Sequence, residues 1–300
     1  MSSIAVKDVE VTNSLIWFRN DLRINDHPGI NSALSISGKV IGFYCFNSSM
    51  FKMTNLGFPK IDKFRAKFLL ETIENLKEDL KKINVTLIIK IGDPVEELTK
   101  IISQQKIKNI FFQKEWTQEE VDEEDQLKSK CNDKNFKSFY SQFLYDPNDI
   151  DINNISNVFT NFRKHCEKKL KVKDLVESPK KLLDDNLLKD DYLIPSLSDL
   201  GLEDFEMDSR SAFKFKGGCN AAKERLDFYF WQSKKINFYK QTRNGLIGQD
   251  YSSKFSSWLS NGSISAREIF WEIKDYEKNI LKNQSTYWLI FELIWRDFFK

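Results

Sequence analysis

The sequence has little histidine and little cysteine. Its 300 residues include two histidines, His27 and His165, and four cysteines that lie far apart without a C-x-x-C pair. Two histidines without paired cysteines do not make an ordinary zinc site, and widely spaced cysteines in a chain of this length do not suggest a disulfide framework. We therefore predict free thiols, a reducing compartment and no metal centre.

The sequence also lacks a long apolar run. The most apolar stretch, residues 288–299, has twelve residues and contains Glu292, Arg296 and Asp297, so it is too short and too charged to span a membrane. The first residues lack the basic start, apolar centre and small-residue cleavage site of a secretory signal. We predict a cytoplasmic protein with a flexible N-terminus over residues 1–13, and import into an organelle stays open.

Glycine-rich nucleotide-binding motifs are absent as well. No G-x-G-x-x-G follows the first strand-like run, and no G-x-x-x-x-G-K-[ST] occurs anywhere. The first half instead alternates apolar, β-rich runs with helical patterns. The runs are residues 14–18, 40–46, 86–90, 109–112 and 136–140, and the helical patterns cover about 62–83, 94–105 and 117–132. This alternation predicts an α/β domain over residues 14–145 with a doubly wound parallel sheet of five strands.

The second half is organised differently. Residues 146–212 are predicted to be an interdomain connector, because charge, proline and glycine are mixed there without sustained periodicity. The helical patterns dominate from residue 213 onward, which predicts an all-helical domain over 213–300. Residues 211–300 hold 20 of the 41 aromatic residues, with 15 Lys and Arg against 9 Asp and Glu. This composition suits stacking on bases or on a flat cofactor, but a helical core made of large side chains explains it equally well.

Several segments resemble one known family. The string LIWFRNDLRINDHPGI over residues 15–30 is similar to the W-F-R-x-D-L-R-x-x-D signature of the photolyase/cryptochrome family. The segments FKGGCNAAKERLDFY, YKQTRNGLIGQDYSSKFSSWLSNGSISAREIFWEI and NQSTYWLIFELIWRDFFK resemble the start of the family's flavin domain, in the form typical of DASH cryptochromes. Residues 57–80 and 157–168 resemble the same subfamily. The resemblance implies an α/β antenna domain followed by a helical FAD-binding domain.

The signature string also has an interpretation that needs no family. Arg19, Asp21, Arg23 and Asp26 follow a buried strand and alternate in charge. Such a set can pair across a strand-to-helix turn. By itself the string therefore predicts a structural charge network.

The resemblance implies a blue-light-dependent flavoprotein. In such a protein, light-excited reduced FAD passes an electron to a cyclobutane pyrimidine dimer, which splits and returns the electron. The implied enzyme is a deoxyribodipyrimidine photo-lyase, and the implied partner of this monomer is DNA carrying pyrimidine dimers, preferably single-stranded. Two alternatives stay open: a blue-light photoreceptor without repair activity, and an inactive fragment that holds no FAD.

The resemblance also implies which residues hold the flavin. Tyr239 matches a tyrosine that contacts the flavin nucleotide, and Arg296 matches an arginine that reaches the flavin. The segment matched to FAD pyrophosphate binding consists of Ser252, Ser253, Lys254, Phe255 and Ser256. Hydroxyls, backbone N–H groups and an ammonium at a helix start can bind an anion, although a serine-rich segment there is also an ordinary helix cap.

Four residues are implied to meet the DNA. Glu292 would hydrogen-bond the damaged pyrimidine pair and Trp295 would form a stacking wall for it, so these two are the predicted catalytic residues. Arg243 would contact the DNA backbone, where guanidinium geometry suits phosphate, and Phe299 shares the helix face of Glu292 and Trp295. Without the family, Glu292 and Arg296 on an aromatic helix more simply form a structural pair.

Two expectations concern the antenna and the chain end. The antenna would be a folate, 5,10-methenyltetrahydrofolate, with Glu119 presented to it, although a solvated acidic helix N-terminus explains Glu119 equally well. Family flavin domains continue beyond the E-L-x-W-R-[DE]-F helix, whereas this sequence stops at Lys300, directly after Phe298 and Phe299. We therefore expect residues 213–300 to be only the start of the FAD-binding domain, in a truncated chain.

Overall fold

The computed structural model describes residues 12–36 and 38–300, so most of the predicted flexible segment lies outside the described residues. Five strands form one sheet. They are β1 Asn13–Trp17, β2 Val40–Asn47, β3 Thr86–Gly92, β4 Ile107–Gln113 and β5 Asn135–Phe139. Every pairing is parallel and the strand order is β3-β2-β1-β4-β5. The prediction of a five-stranded, doubly wound parallel sheet is confirmed.

Helices cover both faces of this sheet. They are α1 Pro28–Leu34, α2 Lys63–Lys82, α3 Pro94–Gln104 and α4 Gln118–Lys130. Successive residues of β1 point to opposite faces, with Ile16 in one core and Leu15 and Trp17 in the other. The sequence analysis did not identify α1, because a helix of seven residues is too short to show a helical period.

The predicted connector contains a helix of its own. The helix α5, Phe159–Lys169, buries Phe159, Phe162 and Cys166 in the same core as the helical domain. Further along, the buried Asn186 donates hydrogen bonds to the carbonyls of Val40 and Asn84, at 3.0 and 2.7 Å. The connector therefore packs on both parts of the molecule.

The helical part is built from short helices around an aromatic core. They are α6 Cys219–Asp227, α7 Tyr239–Thr242, α8 Ser256–Asn261, α9 Ala266–Asn279 and α10 Gln284–Phe299, with a π-helical turn at Phe228–Gln232. Tyr229, Phe230, Trp258 and Tyr276 are fully buried there, so much of the aromatic content serves the core. No helix of the described residues is long and apolar enough to cross a membrane.

The charged residues after β1 join the two parts of the molecule. Arg23, 1% exposed, donates hydrogen bonds to the carbonyls of Ser141 and Gly262, at 2.9 and 3.0 Å. The Asp26 carboxylate accepts two hydrogen bonds from Arg267, at 2.7 and 3.0 Å. The expected charge network therefore exists: Asp21 pairs within the turn, with His27, while Arg23 and Asp26 also reach the helical region. It fixes the turn between α8 and α9 over the end of β1.

Candidate functional site

The helix α10 carries most of the candidate residues, and its start is well defined. The Asn283 side chain accepts hydrogen bonds from the backbone N–H groups of Ser285 and Thr286, which helix starts otherwise leave without partners. Ser285 also contacts α7, because its hydroxyl accepts from the Lys240 N–H at 3.2 Å and donates to Gln241 at 2.9 Å. The position of α7 along α10 is therefore fixed.

This arrangement brings together three residues that the sequence analysis assigned separately. Arg243, directly after α7, donates a hydrogen bond to the Glu292 carboxylate in the middle of α10. The two side chains are 29% and 27% exposed, so the pair is open to solvent on one side. Tyr239 is buried beside it, and burial raises the pKa of Tyr239 to about 12, with Glu292 adding to the rise and Arg243 opposing it.

Glu292 lies next to the indole N–H of Trp288. Burial raises the pKa of Glu292, and the Arg243 guanidinium opposes that rise. The Trp288 indole N–H also lowers this pKa from nearby, yet its buried nitrogen makes no hydrogen bond of ordinary geometry to any described residue. A carboxyl group, a guanidinium and an indole N–H at one half-buried place can recognise the polar edge of a flat molecule such as a nucleobase.

Trp295 and Phe299 form part of an aromatic row. The Trp295 ring stacks on Phe159 of α5, with centroids 3.6 Å apart and planes 13° apart. It also lies nearly parallel to Phe299, at 5.2 Å and 15°. Phe299 is 79% exposed, whereas Phe159 is buried. A base that stacks on Trp295 would therefore have to take the place of Phe299.

The segment matched to pyrophosphate binding precedes α8 and includes its first residue. Ser252 to Phe255 lie in the loop and Ser256 begins the helix. Lys254 adopts a left-handed backbone conformation with a φ of 65°. Because α8 has six residues, its dipole adds little, and any anion binding here depends on the loop's own N–H, hydroxyl and ammonium groups.

Arg225 holds this loop, and the sequence analysis did not identify it. Its buried guanidinium donates to the carbonyls of Ser252 and Ser253, at 3.0 and 3.1 Å, and to the Asp250 carboxylate at 2.7 Å. Arginines in helices usually extend into solvent. The available signal was its spacing, since Arg225 comes three residues after the buried Ala222 and so falls on the inner face of α6.

A buried hydroxyl in the core beside the loop lies close to Thr242. Tyr229 packs on Phe255, with ring centroids 6.4 Å apart. Its Oη atom is buried and makes no hydrogen bond to a described residue, although buried polar groups normally find partners. The serine hydroxyls and Lys254 of the loop fit a phosphate-bearing ligand such as FAD, and the Tyr229 hydroxyl is a further donor in the core behind the loop.

Arg296 binds backbone carbonyls of the protein rather than lying open to a ligand. Its guanidinium donates hydrogen bonds to the carbonyls of Gln142 and Leu259, so it joins α10 to α8 and to the segment after β5. Burial lowers the pKa of Arg296. The neighbouring Asp297 accepts a hydrogen bond from the Leu144 N–H at 2.9 Å, and burial raises the pKa of Asp297 to about 7. The flavin contact of Arg296 stays a prediction.

Glu119 lies apart from these residues, at a cavity beyond the carboxyl ends of β1 and β2. This cavity has a volume of about 320 Å³ and is lined by Arg19 and Glu119, among others. Glu119 is 67% exposed and pairs with Lys60. Arg19 is 6% exposed and lies over the Trp17 ring at 4.5 Å, and its Nη1 makes no hydrogen bond to a described residue. Arg19 is also ion-paired with Glu123 and Glu124, at 3.7 and 4.0 Å, so the cavity offers a planar, largely neutralised guanidinium on an aromatic ring, which fits a planar ligand.

The chain resembles known proteins over nearly its whole length. Cryptochrome DASH of Gloeobacter violaceus is 41% identical over 290 residues, which cover 95% of this chain and 58% of that protein. The crystal structure of a Synechocystis cryptochrome superposes with a TM-score of 0.90 at 37% identity and covers 96% of this chain and 61% of that one. An archaeal photolyase from Sulfolobus tokodaii, described with two FAD molecules, shares the fold at a TM-score of 0.66 and 21% identity, covering 96% of this chain and 58% of that one.

The chain thus spans less than two thirds of the length of these proteins. A family model, DNA photolyase, matches residues 14–181. The matched range makes up more than half of the chain. It includes β2 to β5, α5 and all of β1 except its first residue. The chain belongs to the DNA photolyase family, and it is similar to the DASH cryptochromes within it.

Proposed function

We propose that this chain acts in a blue-light-dependent flavoprotein of the DASH type that splits cyclobutane pyrimidine dimers, preferably in single-stranded DNA. The contact between Arg243 and Glu292 carries this proposal, because residues matched to DNA binding in two separate segments meet there, beside the buried Tyr239 that is matched to flavin binding. The chain spans 58% of the length of the Gloeobacter relative, so the light-driven repair activity itself is part of what we propose.

The loop before α8 would hold FAD by its phosphates. Its hydroxyls and Lys254 would bind phosphate oxygens, while Arg225 occupies the loop carbonyls and so leaves the N–H and hydroxyl donors for the ligand. The buried Tyr229 hydroxyl offers one more donor. FAD bound there would supply an electron donor that blue light excites. The aromatic core around the loop would keep water away from it.

Glu292 would recognise the damaged pyrimidine pair. A DNA phosphate that binds Arg243 would compete with Glu292 for the guanidinium and release the carboxyl to hydrogen-bond a base. The Trp288 N–H offers a second donor at the same place. Extruding a dimer from a duplex costs a few kcal/mol and costs least where the strand is already single. The site has few cations, Arg243 and Lys240, and few cations with aromatic rings suit a single strand better than a duplex.

The cavity at the sheet edge would hold the folate antenna. The Arg19 Nη1, which makes an ion pair with Glu124 but no hydrogen bond, could donate to a carboxylate of that molecule, and the exposed Glu119 suits an N–H donor on its ring. The alternative interpretation of Glu119, as a solvated residue paired with Lys60, agrees equally well with its exposure. The cytoplasmic location and the monomeric state stay predictions.

The test is spectroscopy followed by a repair assay. We expect the purified 300-residue chain to show a flavin spectrum or to acquire one when FAD is added, and to remove dimers from an irradiated oligothymidine under blue light. Glu292→Gln should keep the flavin and lose most repair, while the control Glu272→Gln on α9 keeps both. Flavin reduction in light without repair would favour the photoreceptor alternative, and failure to bind FAD would contradict the proposal.

A further inference from the structure

The loop between α7 and α8 presents two apolar side chains to solvent. Leu246 is 86% exposed and Ile247 is 94% exposed, more than any other large hydrophobic residue that the structure describes. Gly245 and Gly248 flank the pair, and Gly248 has a φ of 84° with open space around it. A single exposed leucine needs no explanation, but an adjacent apolar pair at a glycine-flanked tip indicates a contact surface.

The base of this loop is held at both ends. On the α7 side, the Gly245 N–H donates to the Thr242 carbonyl at 2.8 Å. On the α8 side, the buried Arg225 donates to the Gln249 carbonyl at 3.3 Å and to the Asp250 carboxylate at 2.7 Å. The apolar tip therefore projects from a fixed base, and its two side chains have no protein surface to pack against.

The tip lies beside the cluster around Glu292. Arg243, which pairs with Glu292, is three residues before Leu246, so their Cα atoms are at most about 10 Å apart. Lys240 lies one turn before Arg243, and its Nζ is 4.6 Å from the centre of the Trp288 ring. Two cations and an aromatic ring therefore accompany the apolar tip. Cations suit phosphates, and apolar tips of this kind enter base stacks.

We propose that Leu246 and Ile247 form a wedge that enters the base stack of a nucleic-acid strand whose phosphates are bound by Arg243 and Lys240. The wedge separates neighbouring bases and so exposes the base that faces Glu292. The apolar side chains leave water as they enter the stack, which offsets the cost of unstacking. This inference rests on the proposed function, because it describes how the same site takes hold of its strand.

An anionic lipid surface is the competing partner, since apolar side chains beside cations also suit lipid headgroups. Two observations favour the strand. The tip offers two apolar residues, far fewer than a membrane-binding helix. Its neighbours include the Glu292 carboxylate and the Trp288 ring, and a carboxylate is repelled by anionic lipid whereas a ring can stack on a base.

The test measures base stacking in the dark. The full chain is mixed with a short single-stranded oligothymidine that contains 2-aminopurine, whose fluorescence rises when the base is unstacked. We expect the natural chain to raise this fluorescence. The double variant Leu246→Ser/Ile247→Ser should still bind, as measured by anisotropy, but lose most of the rise. The matched control is Leu183→Ser/Leu193→Ser, which changes two connector leucines of 78% exposure each and should behave like the natural chain.

Several outcomes would overturn the wedge. The first is a rise in 2-aminopurine fluorescence that is as large with the wedge variant as with the natural chain. The second is an equal loss of that rise with the control variant. The third is a natural chain that does not bind the oligonucleotide. Sedimentation with anionic phospholipid vesicles that depends on Leu246 and Ile247, without a change in 2-aminopurine fluorescence, would assign the tip to lipid instead. The measurement uses neither light nor flavin. A chain without repair activity or FAD binding would count against the proposed function, and a fluorescence rise that depends on Leu246 and Ile247 would still support the wedge.

Discussion

The sheet region and the helical region use their polar side chains differently. In the segment after β1, Arg23 and Asp26 are almost wholly buried and each makes several hydrogen bonds. In the helical region, the Arg243–Glu292 pair is open to solvent, and the Trp288 N–H and the Tyr229 hydroxyl make no hydrogen bond of good geometry to a described residue. The first arrangement fixes structure, whereas the second leaves groups available to a ligand.

The same contrast identifies an exception within the sheet region. Arg19 is buried like Arg23, but its Nη1 makes no hydrogen bond to a described residue. It lines the cavity beyond β1 and β2, while Arg23 faces protein carbonyls. Unpaired polar atoms therefore indicate candidate ligand sites in both regions.

The largest expected effect tests whether the buried network is structural. Asp26→Ala removes the carboxylate that binds Arg267 and leaves that buried guanidinium without its partner, so we expect a loss of about 3–5 kcal/mol in the free energy of unfolding. Urea denaturation measures it. The control Asp208→Ala breaks an exposed pair with Arg210 and should change stability by less than about 1 kcal/mol. Similar losses of stability in both variants would show that the buried network stabilises the fold no more than an exposed ion pair does.

A second prediction concerns pH. The pKa of Asp297 is raised to about 7 in the folded chain, from about 3.9 in an unfolded chain. The stabilisation that the protonated carboxyl gives to the folded state is therefore fully present below about pH 4 and is lost as the pH rises through 7. We expect this group to remove about 2–4 kcal/mol of stability over that range. Asp297→Asn should remove most of that decline, as measured by urea denaturation at several pH values. A decline of equal size in the variant would contradict the assignment.

The third prediction tests the phosphate loop. Ser253→Asp places a negative charge where phosphate is proposed to bind, so FAD affinity should fall at least about tenfold, or about 1.4 kcal/mol. Flavin fluorescence titration measures it. The control Ser260→Asp changes an exposed serine on α8 and should leave the affinity unchanged. An unchanged affinity in Ser253→Asp would remove the loop from the FAD site.

The smallest expected effect concerns the open pair. Arg243→Gln should change the free energy of unfolding by less than about 1 kcal/mol, because pairs this exposed contribute little. It should also reduce the salt dependence of oligonucleotide binding by about 0.7 in the log–log slope, the value for one lost phosphate contact on a single strand. Lys130→Gln, at an exposed position on α4, is the control. A large loss of stability without a change in slope would make the pair structural.

The sequence predicted the sheet well, because the first four strands are short apolar runs rich in β-branched and aromatic residues, a pattern that needs no knowledge of neighbouring strands. It could not predict partners that meet only after folding. The resemblance supplied Glu292 and Arg243 separately, but their direct contact depends on how α7 packs on α10. Arg225 was missed for a similar reason, since the carbonyls that it binds come more than twenty residues later.

The contacts of Arg23 have a consequence for the proposed light capture. By binding Ser141 and Gly262 at once, this side chain ties the segment after β5 to the turn between α8 and α9. Excitation energy passes between two dyes at a rate that depends steeply on their separation and mutual orientation. If light is collected at the sheet and used among the helices, as proposed, the contacts of Arg23 would help to set both the distance and the angle between the two dyes.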